Sequence, residues 1–114
     1  MIRKSVCVAS LAAMTVLLFT VSPSITAKAQ QPTAVEVKID NFSFGPQAQS
    51  VPAGTTVTWT NRDDIPHTVV STDGVFKSKV LDTDEKFSYT FAKAGTFAYF
   101  CSIHPKMTGK IVVQ

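Results

Sequence analysis

From Val35 onward, hydrophobic and polar residues alternate along the chain. Val35, Val37 and Ile39 interleave with Glu36, Lys38 and Asp40, the two-residue period of a strand with one buried face. Val57 and Trp59 interleave in the same way with Thr56, Thr58 and Thr60, and Phe87, Tyr89 and Phe91 with Lys86, Ser88 and Thr90. Phe97, Tyr99 and Cys101 share one face of a further strand, which carries the thiol inward at the strand's end. Thr68 to Ser71 and Lys110 to Val113 read as two more strands. Asn41 to Pro46, Pro52-Ala53-Gly54, Thr72-Asp73-Gly74 and Ala94-Gly95 read as turns, because Gly and Pro break the pattern there. Asn61 to Asp64 is a polar loop, and Pro66 favours an extended Ile65 on the approach to His67. The stretch from Val75 to Glu85 is the least patterned, and is expected to be loop with room for one short strand. No part of residues 30–114 keeps a helical period. Seven or eight short strands with closely spaced turns predict an all-β fold, an antiparallel sandwich or barrel. Trp59 and the phenylalanines are predicted to form its core.

The N-terminal segment follows a different pattern. Met1-Ile2-Arg3-Lys4 is a short positive start, and an apolar run extends from Val6 to Val21. Ala27-Lys28-Ala29 then fits a small-x-small cleavage pattern, so residues 1–29 are predicted to be a secretory signal peptide. The run is shorter than the roughly 20 residues a spanning helix needs, so no membrane anchor is expected after cleavage. Arg3-Lys4 is not a twin-arginine pair, which points to general secretion and a periplasmic destination. Residues 30–114 are then a single domain.

Removing the leader changes the charge balance. The full chain has a formal net charge of +3, from 11 basic and 8 acidic groups. Arg3, Lys4 and Lys28 lie in the leader, so eight basic groups face eight acidic ones in the remaining domain. A neutral domain gives no reason to expect nucleic acid or an anionic membrane as a partner. Cys7 also belongs to the leader, which leaves Cys101 without an internal disulfide partner. A solitary cysteine in an oxidising compartment suggests a reactive thiol, an intermolecular bridge or a metal ligand. Nothing in the sequence indicates an oligomer, and a monomer is expected.

The chemistry concentrates in Tyr99-Phe100-Cys101-Ser102-Ile103-His104-Pro105-Lys106-Met107. Here a thiol, an imidazole and a thioether follow one another at intervals of three residues. Pro105 disfavours a helix through His104, so the segment is predicted to be a tight loop that can wrap three side chains around one point. The chain's other histidine is His67, more than thirty residues upstream. Two histidines, one cysteine and a weak axial methionine are the ligand set of a blue-copper electron-transfer site. The candidate metal ligands are therefore His67, Cys101, His104 and Met107, holding one copper ion. Such a set compromises between the preferences of the two copper oxidation states, which keeps reorganisation small. Three other readings use the same residues. The first is a module that stores or delivers copper. The second is a Cys-His-His zinc site with an open fourth position, for which the Met107 thioether is a poor match. The third is a secreted interaction module in which the grouping is accidental.

Several motifs carry a family resemblance. They are Gly54-Thr55-Thr56-Val57-Thr58-Trp59, Pro66-His67, Gly95 to Cys101, and Cys101-Ser102-Ile103-His104-Pro105-Lys106-Met107-Thr108-Gly109. Residues 34 to 114 resemble the cupredoxins. Their compact Cys-x-x-His-x-x-Met loop is similar to the amicyanin type, with the plastocyanin and pseudoazurin types further off. The resemblance implies a cupredoxin-like Greek-key β-sandwich and an electron carrier, not an enzyme. It also implies redox partners docking on an apolar patch around His104, here Ile65, Pro66, Ile103 and Pro105. The family commonly has Asn directly after its first histidine, and this chain has Thr68.

Overall fold

The computed structural model describes residues 2, 5, 12, 13, 15–22 and 33–114. Arg3-Lys4, Cys7 and the expected cleavage pattern Ala27-Lys28-Ala29 lie outside the described residues. Among those described, no helix is long and apolar enough to cross a membrane.

Among the described residues, eight strands follow in order: β1 (Ala34–Asp40), β2 (Ser43–Gly45), β3 (Ala48–Val51), β4 (Thr55–Asn61), β5 (Val70–Ser71), β6 (Lys86–Phe91), β7 (Gly95–Phe100) and β8 (Thr108–Val113). They form two four-stranded sheets, in the orders β2-β1-β4-β6 and β3-β8-β7-β5. A single buried cluster draws on both sheets, with Val37, Ile39, Val57, Trp59 and Phe91 from one and Tyr99, Ile111 and Val113 from the other. The all-β expectation holds, and so does the assignment of Trp59 to the core.

Three details depart from the sequence reading. The sheets are mixed, because β1 pairs with β4 and β3 with β8 in parallel. Alternation tells which residues face inward but not which strand lies alongside, so strand direction is invisible to it. The Asn41–Pro46 stretch, read as a turn, contains β2 behind a two-residue loop. Phe42, at the tip of that loop, is 54% exposed and lies outside the core.

Strand register brings the functional segments together. The β5–β7 ladder pairs Val70 with Phe100 and Ser71 with Tyr99. Continuing that antiparallel register past the strand ends sets Thr68 across from Ser102. The β7–β8 ladder pairs Phe100 with Thr108, and one step further the Cys101 amide donates to the Met107 carbonyl at 3.0 Å. His67 is pinned separately, by reciprocal amide–carbonyl bonds with Leu81 of 3.1 and 2.8 Å.

Tyr99 lies in the core two residues before Cys101. Its ring packs edge-on to Phe44 and Trp59, with centroids 4.7 and 5.3 Å away. Burial pushes its phenol up to about 12. The ring lies across Gly109, its partner in β8. A Cβ on Gly109 would stand 2.5 Å from both Cζ and the hydroxyl oxygen of Tyr99. Overpacking of this kind costs about 1–3 kcal/mol, whereas Gly-to-Ala stiffening of the unfolded chain returns about 0.4–1 kcal/mol. Gly109→Ala is therefore expected to lower stability on balance, seen as a lower denaturant midpoint. An unchanged or higher midpoint would show that Tyr99 has room to move.

Candidate metal centre

The upstream histidine is held by an organised loop. Asn61 is fully buried at the end of β4. Its side-chain amide donates to the carbonyls of Ile65 and Leu81, each at 2.9 Å, and its Oδ1 accepts from the Asp63 amide. One side chain thus closes the Asn61–Ile65 turn and ties it to the segment that pins His67. The His67 ring has no exposed surface.

Cys101 follows β7 directly and is also fully buried. The loop after it is closed by two backbone bonds. The Cys101 amide donates to the Met107 carbonyl, and the Met107 amide donates to the His104 carbonyl at 2.9 Å. These bonds curl residues 101–107 back on themselves. Met107 is buried, at 5% exposure, as part of the core cluster, and His104 is partly exposed.

The two segments converge on the sulfur. Cys101 Sγ lies 3.8 Å from Nδ1 of His67 and 3.8 Å from Nδ1 of His104. One ligand atom from each of the three residues falls within 4.8 Å of the others. For ligand bonds of roughly 2.3 Å to sulfur and 2.0–2.1 Å to nitrogen, donors 3.8 Å apart subtend an angle of roughly 120° at a shared ion. That is the spacing of a trigonal site, so these residues fit the metal their chemistry suggests. A thiolate with two imidazoles suits copper, and copper is the cofactor of this centre.

Thr68 takes the place that the resemblance would give to Asn, and it links the two loops. Its amide donates to Cys101 Sγ at 3.4 Å, and its hydroxyl lies 3.8 Å from the same sulfur. The Ser102 amide donates to Thr68 Oγ1 at 2.7 Å, and the two hydroxyls lie 2.7 Å apart. With the Ser102 hydroxyl donating, Thr68 Oγ1 accepts twice and is free to donate toward the sulfur.

Two contacts at the site were not legible in the sequence. Asp63 Oδ2 lies 2.7 Å from His67 Nε2, on the side of the ring away from the sulfur. Phe42 stands edge-on to both imidazoles, with centroids 5.8 Å from His67 and 5.1 Å from His104. Asp63 read as one acid in a polar loop. Its spacing of four from His67 across Ile65-Pro66 was the one available signal.

The electrostatics favour a thiolate. Burial alone would raise the Cys101 thiol, but the Thr68 amide, the two imidazoles and the His104 backbone outweigh it and bring it down to about 6. In the copper-free protein the folded state therefore holds its thiol proton less tightly than the unfolded chain does. Stability is expected to rise with pH from about 6 towards the ordinary thiol range, and to be lost as pH falls through the folded value. The thiolate ultraviolet band should titrate near pH 6. A band appearing only in the ordinary thiol range would mean that the Thr68 amide and the groups around it do not stabilise the thiolate.

Comparison with known proteins agrees with this geometry. Residues 10–113 match the family model of the cupredoxin-like domain. The chain is 38% identical over 86 residues to amicyanin-alpha of Methylorubrum extorquens, covering 71% of this chain and 72% of that protein. It is 34% identical to the amicyanin of Paracoccus versutus, of which it spans 65%. Among solved structures, the reduced state of an amicyanin mutant superposes with a TM-score of 0.68 at 37% identity, covering 71% of this chain and 82% of that one. A purple cupredoxin from Nitrosopumilus maritimus gives 0.66 at 33%, covering 70% and 99%. Fold, donor set and sequence lead to the same place: the chain belongs to the cupredoxin-like domain family.

Proposed function

We propose that this protein is an exported electron carrier in which His67, Cys101, His104 and Met107 hold one type 1 copper ion, Met107 as the weak axial ligand. One observation carries the reading. A buried cysteine sulfur lies 3.8 Å from two imidazole nitrogens, one of them contributed from 34 residues away. Bound copper would supply a one-electron couple. The protein supplies a donor set braced by backbone bonds on both loops, which has little freedom to rearrange when charge changes. Hydrogen bonds from Thr68 tune the sulfur's electron density.

His104 is the partly exposed member of the set, with Ile103 and Pro105 on either side of it in the chain. Ile103 is 44% exposed, Pro66 and Pro105 are exposed, and Phe42 adds its ring to the same surface. Redox partners dock there and exchange electrons through His104. No bound substrate or bond-making step is needed. Residues 1–29 direct export to the periplasm, and the domain acts as a monomer.

Copper(II) titration with visible absorption and paramagnetic resonance tests the centre. An intense blue species at one copper per chain is expected, with small hyperfine splitting and reversible one-electron voltammetry. Cys101→Ser should abolish the colour. Pale, tetragonal copper binding, or a variant that stays blue, would refute the site. Copper that passes readily to an acceptor protein while exchanging electrons sluggishly would replace the carrier by a delivery protein.

The axial assignment has its own test. Met107→Leu should leave copper bound and move the reduction potential, since the axial ligand is a tuning element. An unchanged potential would remove Met107 from the ligand set.

A further inference from the structure

The β1–β2 hairpin has a two-residue loop, Asn41-Phe42, closed by the Asp40–Ser43 pair. Both loop residues have positive φ, 50° and 57°. Two-residue loops with this backbone strongly prefer Asn-Gly. Asn41 suits its position, but Phe42 occupies the one that favours glycine. A bulky residue in the left-handed region is uncommon and costs free energy. Here the strain places an aromatic ring edge-on to both imidazoles of the site.

One carboxylate holds this loop and the upstream ligand together. Asp63 Oδ1 accepts from the Asn41 amide at 2.9 Å, and Oδ2 accepts from the Phe42 amide at 3.1 Å. Oδ2 is also the atom that meets His67 Nε2 at 2.7 Å. The Asp63 backbone is fixed in turn, because its amide donates to Asn61 Oδ1 and its carbonyl accepts from the Thr83 hydroxyl at 2.6 Å. An imidazole bonded to a carboxylate through one nitrogen keeps its proton there and offers the other nitrogen to a metal. For His67 the free nitrogen is Nδ1, the one that faces the Cys101 sulfur.

We propose that Asp63 is a positioning residue for the metal centre. Its single carboxylate fixes the ring orientation and tautomer of His67, and by clamping the Asn41-Phe42 loop it also holds the Phe42 ring against both imidazoles. The proposal rests on the copper reading only for its effect on the metal. A carboxylate on the far nitrogen makes an imidazole a stronger donor, which favours copper(II) over copper(I). Asp63 therefore lowers the reduction potential.

The first measurement needs neither metal nor mutation. A long-range proton–nitrogen spectrum of the copper-free protein should place a proton on His67 Nε2. An Nε2 without a proton would overturn the proposal, whatever any variant does. The second compares copper-loaded Asp63→Asn and Asp63→Glu with the parent. Asp63→Asn is expected to raise the potential and weaken copper(II) binding by about 10–100-fold, and to move the Phe42 ring resonances. Asp63→Glu should recover part of both metal effects. A folded, blue Asp63→Asn protein with unchanged potential and copper(II) affinity would also overturn it. A parent protein that never becomes blue would instead defeat the copper reading, leaving the His67 result to stand or fall alone.

Discussion

A cysteine sulfur kept dry between two loops is the constraint on which the metal end of this fold depends. A buried thiolate is costly unless donors surround it. Here the surroundings come from separate segments: the Thr68 amide donates to the sulfur from one, and ring nitrogens of His67 and His104 approach it from both. None of these contacts is local except that of His104. The sulfur can keep its surroundings only while β5 and β7 remain in register, because that pairing delivers Thr68 opposite Ser102. The centre is therefore as rigid as the sheet beneath it.

Core packing supports that rigidity. Tyr99, two residues before the ligand cysteine, is wedged among Phe44, Trp59 and the bare backbone of Gly109. Phe44 belongs to β2 and Trp59 to β4, both in the opposite sheet. The strand that ends in Cys101 is thus anchored across the sandwich, and the hairpin it shares with β8 sets the span of the ligand loop. The proposed electron transfer benefits from this arrangement, since a donor set that cannot relax loses little energy to rearrangement when the charge on its metal changes.

Departures from ordinary local preference gather around the site. A phenylalanine takes a glycine position at a hairpin tip, and a buried aspartate accepts from two amides and a histidine. Burial works against the Asp63 charge, but those three donors together hold its carboxyl below the usual range. Each departure is compensated by a neighbour, which is the pattern expected where function outweighs local propensity.

The sequence alone determined the strand faces, and it supplied the donor set that the proposed centre uses. Side-chain alternation in β1, β4, β6 and β7 is a local property, and Cys101, His104 and Met107 fall within one seven-residue stretch. The all-β class and the family resemblance followed from these. Tertiary structure alone decided which strands lie side by side and in which direction. The parallel pairs β1–β4 and β3–β8 join segments whose own patterns say nothing of each other. It also decided what stands behind each ligand. Asp63 looked like any loop acid and Phe42 like any core aromatic, while Thr68 looked like a departure from the family pattern. Their roles arise from contacts between residues 4 to 62 positions apart in the chain. Such contacts depend on the register and twist of folded strands, and no local pattern of hydrophobic and polar residues encodes them.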